Sequence, residues 1–249
     1  MKLMHILTAT VAIFASAACN AEKGSDSTTV SSAPIKPIAA PNGGDWSEMV
    51  SETPEGGFVM GNPSAPVKLV EYGSMTCPHC AAFDEEGAKP LIDKYVKSGQ
   101  VSFEFRNYVR DPYDITATLI ARCGGPTSFF GLTRGLFSEQ DEWIAKLQQV
   151  PPEQQQALMA MPPQQQFSSI AQLAGFSQWA AMRGLPSAKS AACLADEAAM
   201  TKLVQMNSDA TSQYPGFPGT PTFILNGTML ENTANWQALE PKLRAAVGA

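Results

Sequence analysis

The chain has 249 residues, a formal net charge of −6, 44% apolar residues and 16% charged residues. That length holds one large domain or two small ones, and the apolar share supplies a sizeable core. The negative charge argues against a nucleic-acid partner, because nothing in it offsets phosphate repulsion.

Lys2 precedes a mostly apolar run over residues 3–18 that ends in small side chains, the pattern of an export signal. The run is short for a bilayer-spanning helix, which needs about 20 residues. Two cleavages compete here. One falls within Ala15-Ser16-Ala17-Ala18. The other leaves Cys19 as a lipid-modified first residue, since Ser16-Ala17-Ala18-Cys19 resembles a bacterial lipoprotein box with Ser16 where Leu is usual. Residues 20–44 are rich in Ser, Thr, Ala, Pro and Gly and lack hydrophobic periodicity. The stretch 19–53 therefore reads as a flexible linker, with folded structure starting between Trp46 and Phe58 and the domain proper spanning 54–249.

Val67–Tyr72 is β-branched and aromatic and predicts a buried strand. Residues 78–97 carry Ala81, Ala82, Phe83, Leu91, Ile92, Tyr95 and Val96 at helical spacing, and Gly99 ends that helix. Val101–Phe105 alternates and predicts a second strand. From Pro112 to about Tyr214 no strand is evident. Helices are expected at 113–122, 128–149, 153–160, 164–174, 177–183 and 188–212, with the Pro pairs at 151–152 and 162–163 opening two of them. Strand character returns at Pro221–Leu225. Asn226-Gly227 is a two-residue hairpin turn, and a final helix over 234–246 is capped by Asn232 or Thr233. The order is strand, helix, strand, helical block, hairpin, helix: an α/β sheet interrupted by a helical insertion.

Five cysteines occur, at 19, 77, 80, 123 and 193. Cys77-Pro78-His79-Cys80 sits at the strand-to-helix junction. A zinc site needs four ligands, usually as two close pairs, but there is no second CxxC, and His5 and His79 are the sole histidines. The same shortage argues against a Ser–His–Asp or Cys–His hydrolase. A redox couple has a positive case. Cys77 lies beside the unpaired N–H groups of a first helical turn, which favour thiolate over thiol. Pro78 suits the first helical position, and His79 adds a donor and, when protonated, a positive charge. Thiolate stabilisation acts on the reduced form alone, so it raises the reduction potential by about 30 mV per 1.4 kcal/mol.

The segment Glu71–Cys80 (EYGSMTCPHC) resembles the active-site region of DsbA-like proteins of the thioredoxin superfamily. Gly219-Thr220-Pro221-Thr222-Phe223 resembles that family's cis-proline loop, and Gly61–Val67 is also typical of it. The resemblance spans about 57–247. It implies a thioredoxin-like fold with an inserted helical domain over about 112–214. It also implies an extracytoplasmic thiol–disulfide oxidoreductase with Cys77 as nucleophile and Cys80 as its partner. Pro221 is then expected to be cis, with the Thr220 backbone pairing with substrate. Glu71 matches a buried acid that helps move the Cys80 proton; its alternative is a solvated strand-end carboxylate. The implied partners are reduced exported proteins and a membrane DsbB-type quinone oxidoreductase, with no metal or organic cofactor. A monomer in the periplasm is expected, with or without a lipid on Cys19.

One position departs from the pattern: Thr220 stands where oxidising relatives often carry Val and where isomerase-like relatives also carry Thr. Residues 20–56 are too short and polar for the dimerisation domain of those isomerases, so the oxidase direction is favoured over isomerase or reductase. A tethered client-binding module is the reading from a different class. Cys123 and Cys193 both fall in the helical block and are expected to pair as a structural disulfide, the alternative being two separate buried thiols.

Overall fold

The computed structural model describes residues 33–248. The export signal expected over 1–18 and the candidate lipidation position Cys19 lie outside those residues.

Six strands form one mixed sheet: β1 (Val50–Glu52), β2 (Phe58–Met60), β3 (Val67–Gly73), β4 (Val101–Asn107), β5 (Thr222–Leu225) and β6 (Thr228–Met229). Their order is β1-β2-β4-β3-β5-β6. β3 and β4 run parallel, which requires the crossover helix between them, and the other pairings are antiparallel. The crossover begins as α1 (Pro78–Phe83) and continues in π-helical turns over Asp84–Ala88 and Leu91–Val96. A uniform helix was expected here. Pro90 has no N–H to give the preceding turn, and wide turns flank it. The hairpin turn has Asn226 at φ 50° and Gly227 at φ 82°, the left-handed pair that a two-residue turn demands.

The insertion is wholly helical: α2 (Pro112–Arg122), α3 (Pro126–Ser138), α4 (Gln140–Gln148), α5 (Pro152–Met159), α6 (Pro163–Ala174), α7 (Phe176–Ala181), α8 (Ser187–Leu194) and α9 (Glu197–Gln213). α10 (Trp236–Val247) closes the chain. Among the described residues no helix is long and apolar enough to cross a membrane. Two expected helices each divide. The run 128–149 breaks at Glu139, whose carboxylate accepts from Trp179 Nε1 at 2.9 Å and pairs with Arg183. The run 188–212 breaks at Asp196, which caps α9 by accepting from Ala199 N–H at 2.9 Å. The cap of α10 is Asn235, bonded to Ala238 N–H at 2.9 Å, and not Asn232 or Thr233.

The linker expected over 19–53 is structured in its described part. Ile35 N–H donates to Val247 O at 2.9 Å, Ile38 N–H donates to Ser98 O at 2.8 Å, and Trp46 is buried with its Nε1 on Ile38 O at 2.7 Å. Apolar side chains spaced along a Pro-rich segment pin it to the domain. The β1–β2 hairpin was not foreseen either, though Pro54-Glu55-Gly56-Gly57 between two β-rich runs is a turn signal.

One sheet face carries Phe58, Leu69, Phe103, Phe105 and Phe223 and is covered by α1, α3 and α10. Phe58 stacks on Phe129 at 4.1 Å and Phe83 tilts against Phe223 at 4.7 Å. The other face holds a smaller group, Tyr72, Ile224 and Ala210 of α9, rimmed by Tyr108, Tyr214 and Phe217. The insertion thus packs on both faces and reaches the loop after β3.

Candidate active site

β3 is the central strand, and its C-terminal end delivers Ser74–Cys77 to the start of α1. Cys77 is the N-cap residue in extended conformation, with Pro78 at the first helical position. Its carbonyl accepts from the N–H groups of Cys80 and Ala81, each at 3.2 Å. The side chains of Pro78 and His79 are exposed, whereas Cys77 is 3% exposed and Cys80 is fully buried. Both cysteines are thiols in this structure.

The two sulfurs are pushed in opposite directions. Cys77 is pulled down to about 5, first by the Cys80 thiol donating to it, then by the Thr220 hydroxyl and by the backbone N–H groups of Cys80 and His79, against an opposing cost of burial. The helix terminus therefore contributes, but the partner thiol leads, and His79 acts through its backbone. Cys80 is pushed well up by burial, by its hydrogen bond to Cys77 and by the nearby Glu71 and Cys77 charges. One sulfur is set to be a thiolate near neutral pH and the other to keep its proton.

Glu71 lies on the buried face, with Phe105 opposite it on β4 and Phe223 opposite it on β5. It is 2% exposed, and its Oε1 has no hydrogen-bond partner. Burial pushes its carboxyl well up, and the charges of Asp84 and Cys77 push it further. It is a buried acid and not a solvated strand-end carboxylate. Gly73 permits this packing, since a Cβ there would collide with the Phe105 ring.

The Thr220–Pro221 peptide is cis. The Thr220 carbonyl lies 3.2 Å from Cys77 Sγ and accepts from it, so the loop before β5 faces the reactive sulfur. Thr222 Oγ1 braces that loop by donating to Gly219 O at 2.6 Å. A groove of about 810 Å³ runs beside it, between Pro215–Thr222 and Met229–Asn235. A second crevice of about 520 Å³ lies along α1, walled by Pro78, Ala81, Phe137 and Gln140.

Cys123 and Cys193 are joined by a disulfide with Cα atoms 5.7 Å apart, linking the end of α2 to α8. They are therefore not available to complete a four-ligand zinc set with Cys77 and Cys80. Among the described residues no group of three or more His, Cys, Asp or Glu side chains is placed to hold a metal.

Several residues at the site were not singled out from the sequence. Asp114 is fully buried in α2 and accepts from Ser74 Oγ at 2.5 Å, Met75 N–H at 2.8 Å and Arg110 N–H at 3.0 Å. Burial still pushes its carboxyl up to about 7, against those donors. Arg110 also donates to Thr76 Oγ1 at 2.7 Å. Gln140 donates to the carbonyls of Met75 and Cys77. Asp84, four residues beyond Cys80, is raised by burial to about 6 despite the guanidinium of Arg134 at 3.8 Å. The one available signal was Asp111-Pro112-Tyr113-Asp114, a helix start; which pole of that helix meets the Cys77 loop is a tertiary fact.

Residues 53–244 match the family described as Thioredoxin. The crystal structure of a protein-disulfide isomerase from Novosphingobium aromaticivorans superposes with a TM-score of 0.73 at 34% identity, over 77% of this chain and 97% of that one. Wolbachia pipientis alpha-DsbA1 superposes with a TM-score of 0.63 at 20% identity, over 82% of this chain and 96% of that one, a likeness of fold. A Rickettsia bellii protein, named provisionally as a protein-disulfide oxidoreductase, is 28% identical over 179 residues, 72% of this chain. The matched part spans 60% of that protein's length, and 56% in its Rickettsia typhi counterpart.

Proposed function

We propose that this chain, which belongs to the thioredoxin family, is a DsbA-like extracytoplasmic protein-disulfide oxidoreductase that oxidises exported proteins through Cys77 and Cys80. The observation that carries the reading is the opposed pair of sulfurs: Cys77 drawn down to about 5 beside the Thr220 carbonyl, and Cys80 buried and protonated.

In the oxidised protein the pair is a disulfide. A client thiolate attacks Cys77 Sγ, a client–Cys77 bond forms, and the Cys77–Cys80 bond breaks. Cys80 leaves as a thiolate in a buried site that disfavours its charge, and it takes up a proton for which Glu71 is the nearby acid. A second client thiolate then attacks the client sulfur of the mixed disulfide. The client leaves with its own disulfide, and Cys77 departs as the stabilised thiolate. Two electrons have passed from client to protein, and a membrane quinone-linked oxidoreductase of the DsbB type takes them on.

Stabilising the Cys77 thiolate favours the reduced form, so the protein gives its disulfide away. The main chain at Thr220 pairs with the client in extended form. The apolar leader and the Cys123–Cys193 bridge support a compartment where disulfides persist. The protein acts as a monomer in the periplasm, with Cys19 as the candidate lipid anchor.

A specific observation favours a second reading, isomerase. Thr220 precedes the cis proline, and the Novosphingobium relative carries the isomerase name. Equilibration with glutathione, followed by transfer to a reduced unfolded client, separates the two. An oxidase has a potential near those of strongly oxidising members and forms disulfides from the reduced client. An isomerase acts on scrambled clients and needs its reduced form. A potential below about −300 mV, the range of structural disulfides, contradicts the oxidase reading. Client binding that persists in Cys77→Ala with no exchange in the wild type would leave the binding module.

A further inference from the structure

The insertion grips the reactive segment through two side chains. Ser74–Cys77 links β3 to α1, and Met75 within it is fully buried. Asp114 of α2 takes the donors, Ser74 Oγ at 2.5 Å and Met75 N–H at 2.8 Å. Gln140, the first residue of α4, serves the acceptors: its Nε2 lies 2.7 Å from Met75 O and 3.1 Å from Cys77 O. Met75 is thus held at both its N–H and its C=O. Gln140 is 4% exposed, and α4 needs no amide at its first position.

We propose that Gln140 is a positioning residue for the reactive sulfur, engaging the Cys77 carbonyl so that the Cys80 N–H is shared with the Cys77 thiolate.

The argument is one of competition for a single donor. The Cys80 N–H stands 3.2 Å from Cys77 O, and the same N–H helps hold the Cys77 thiolate. A carbonyl oxygen has two lone pairs. The Ala81 N–H at 3.2 Å and the Gln140 amide at 3.1 Å compete with the Cys80 N–H for them, which loosens the carbonyl's hold on that N–H and lets it be shared with the sulfur. Without Gln140 the carbonyl draws that N–H back. Met75 O loses its side-chain donor at the same time, and a buried carbonyl without a partner turns to whatever donor remains nearby. Both changes take positive charge away from the sulfur, so both raise its pKa. A side chain that served packing alone would be replaceable by any of the same shape.

This rests on the reading that Cys77 is the sulfur that exchanges with the client, and the experiment separates the two. The full reduced chain is alkylated across pH while thiolate absorbance is followed, for wild type, Gln140→Met and Gln140→Glu, each first checked for native circular dichroism. The wild-type half-point is expected near 5. Gln140→Met should raise it by about one pH unit and lower the glutathione equilibrium constant about tenfold, which is about 30 mV. Gln140→Glu keeps the shape but turns a carboxylate toward both carbonyls, and should raise it further. If Gln140→Met does not fold, Gln140→Asn, which falls short of the carbonyls, is read in its place with the same rise expected. Equal half-points near 5 in all variants overturn the positioning role and leave disulfide exchange standing. A wild-type half-point near 9 removes the exchange reading and the inference with it.

Discussion

The depressed Cys77 thiol makes the reduced protein's stability depend on pH in a way the oxidised protein's does not. The thiol titrates near 9.0 when unperturbed and is drawn to about 5 in the fold. A group lowered by folding stabilises the fold fully above its unfolded value, and the effect is lost as pH falls through the folded value. The window therefore runs from about 9 down to about 5. At 1.36 kcal/mol per pH unit, the thiolate contributes ~2.7 kcal/mol at pH 7 and ~0.4 kcal/mol at pH 5, a difference of ~2 kcal/mol before screening. Solvent reaches the first turn through exposed Pro78 and His79, so roughly half of that is the expected size. The assay is urea unfolding of the reduced and oxidised proteins at several pH values. Groups other than the redox pair largely cancel in the difference. The reduced form should gain on the oxidised form by about 1 kcal/mol between pH 5 and pH 7. A difference that stays flat, or that shrinks as pH rises, refutes a stabilised thiolate and with it the physical basis of the oxidase direction.

Glu71→Gln should raise stability at neutral pH by about 1–3 kcal/mol in thermal unfolding, because a carboxyl held well up by burial costs free energy to keep protonated there and an amide does not, while slowing release of mixed disulfides. A destabilised variant with unchanged exchange would assign Glu71 a packing role. Asp114, raised to about 7 by burial, makes a contribution that is present at low pH and lost as pH rises through 7. Asp114→Asn should flatten that loss in melts recorded between pH 5 and pH 8, and should lower stability overall because its amide presents a donor to the Arg110 N–H. Replacing Cys123 and Cys193 by Ser opens a loop of 70 residues and should cost about 4 kcal/mol in the chain-entropy limit, while leaving the Cys77 alkylation profile in place. A shifted profile would mean that the bridge tunes the site.

The sheet core and the reactive motif were legible because they are local patterns. Val67–Tyr72 could be read as a strand from composition, Asn226-Gly227 as a turn from backbone sterics, and Cys77-Pro78 as an N-cap followed by its preferred first residue. The β1–β2 hairpin was missed because its strands have three residues each and it gains stability from the pairing of β2 with β4, not from its own pattern. The breaks at Glu139 and Asp196 were missed because helical periodicity passes smoothly through both. At Glu139 the decision comes from Trp179 and Arg183, some 40 residues away.

The sequence by itself determined the chemistry available: two cysteines at the first turn of a helix after a buried strand, and a Thr-Pro loop more than a hundred residues on. The first-turn position already favoured Cys77 as the thiolate; only the tertiary structure supplied the leading cause and held the proton on Cys80. The Cys80 thiol, the Thr220 loop and first-turn N–H groups converge on Cys77, while Phe105 and Phe223 strip water from Glu71 beneath it. The grip of Asp114 and Gln140 on Ser74–Cys77 likewise arises across separations of 39 to 65 residues. Helix and turn preferences are set by near neighbours along the chain. Desolvation and hydrogen-bond donation act through space, so the fold has to form before Cys77 becomes a thiolate below its ordinary value of 9.0.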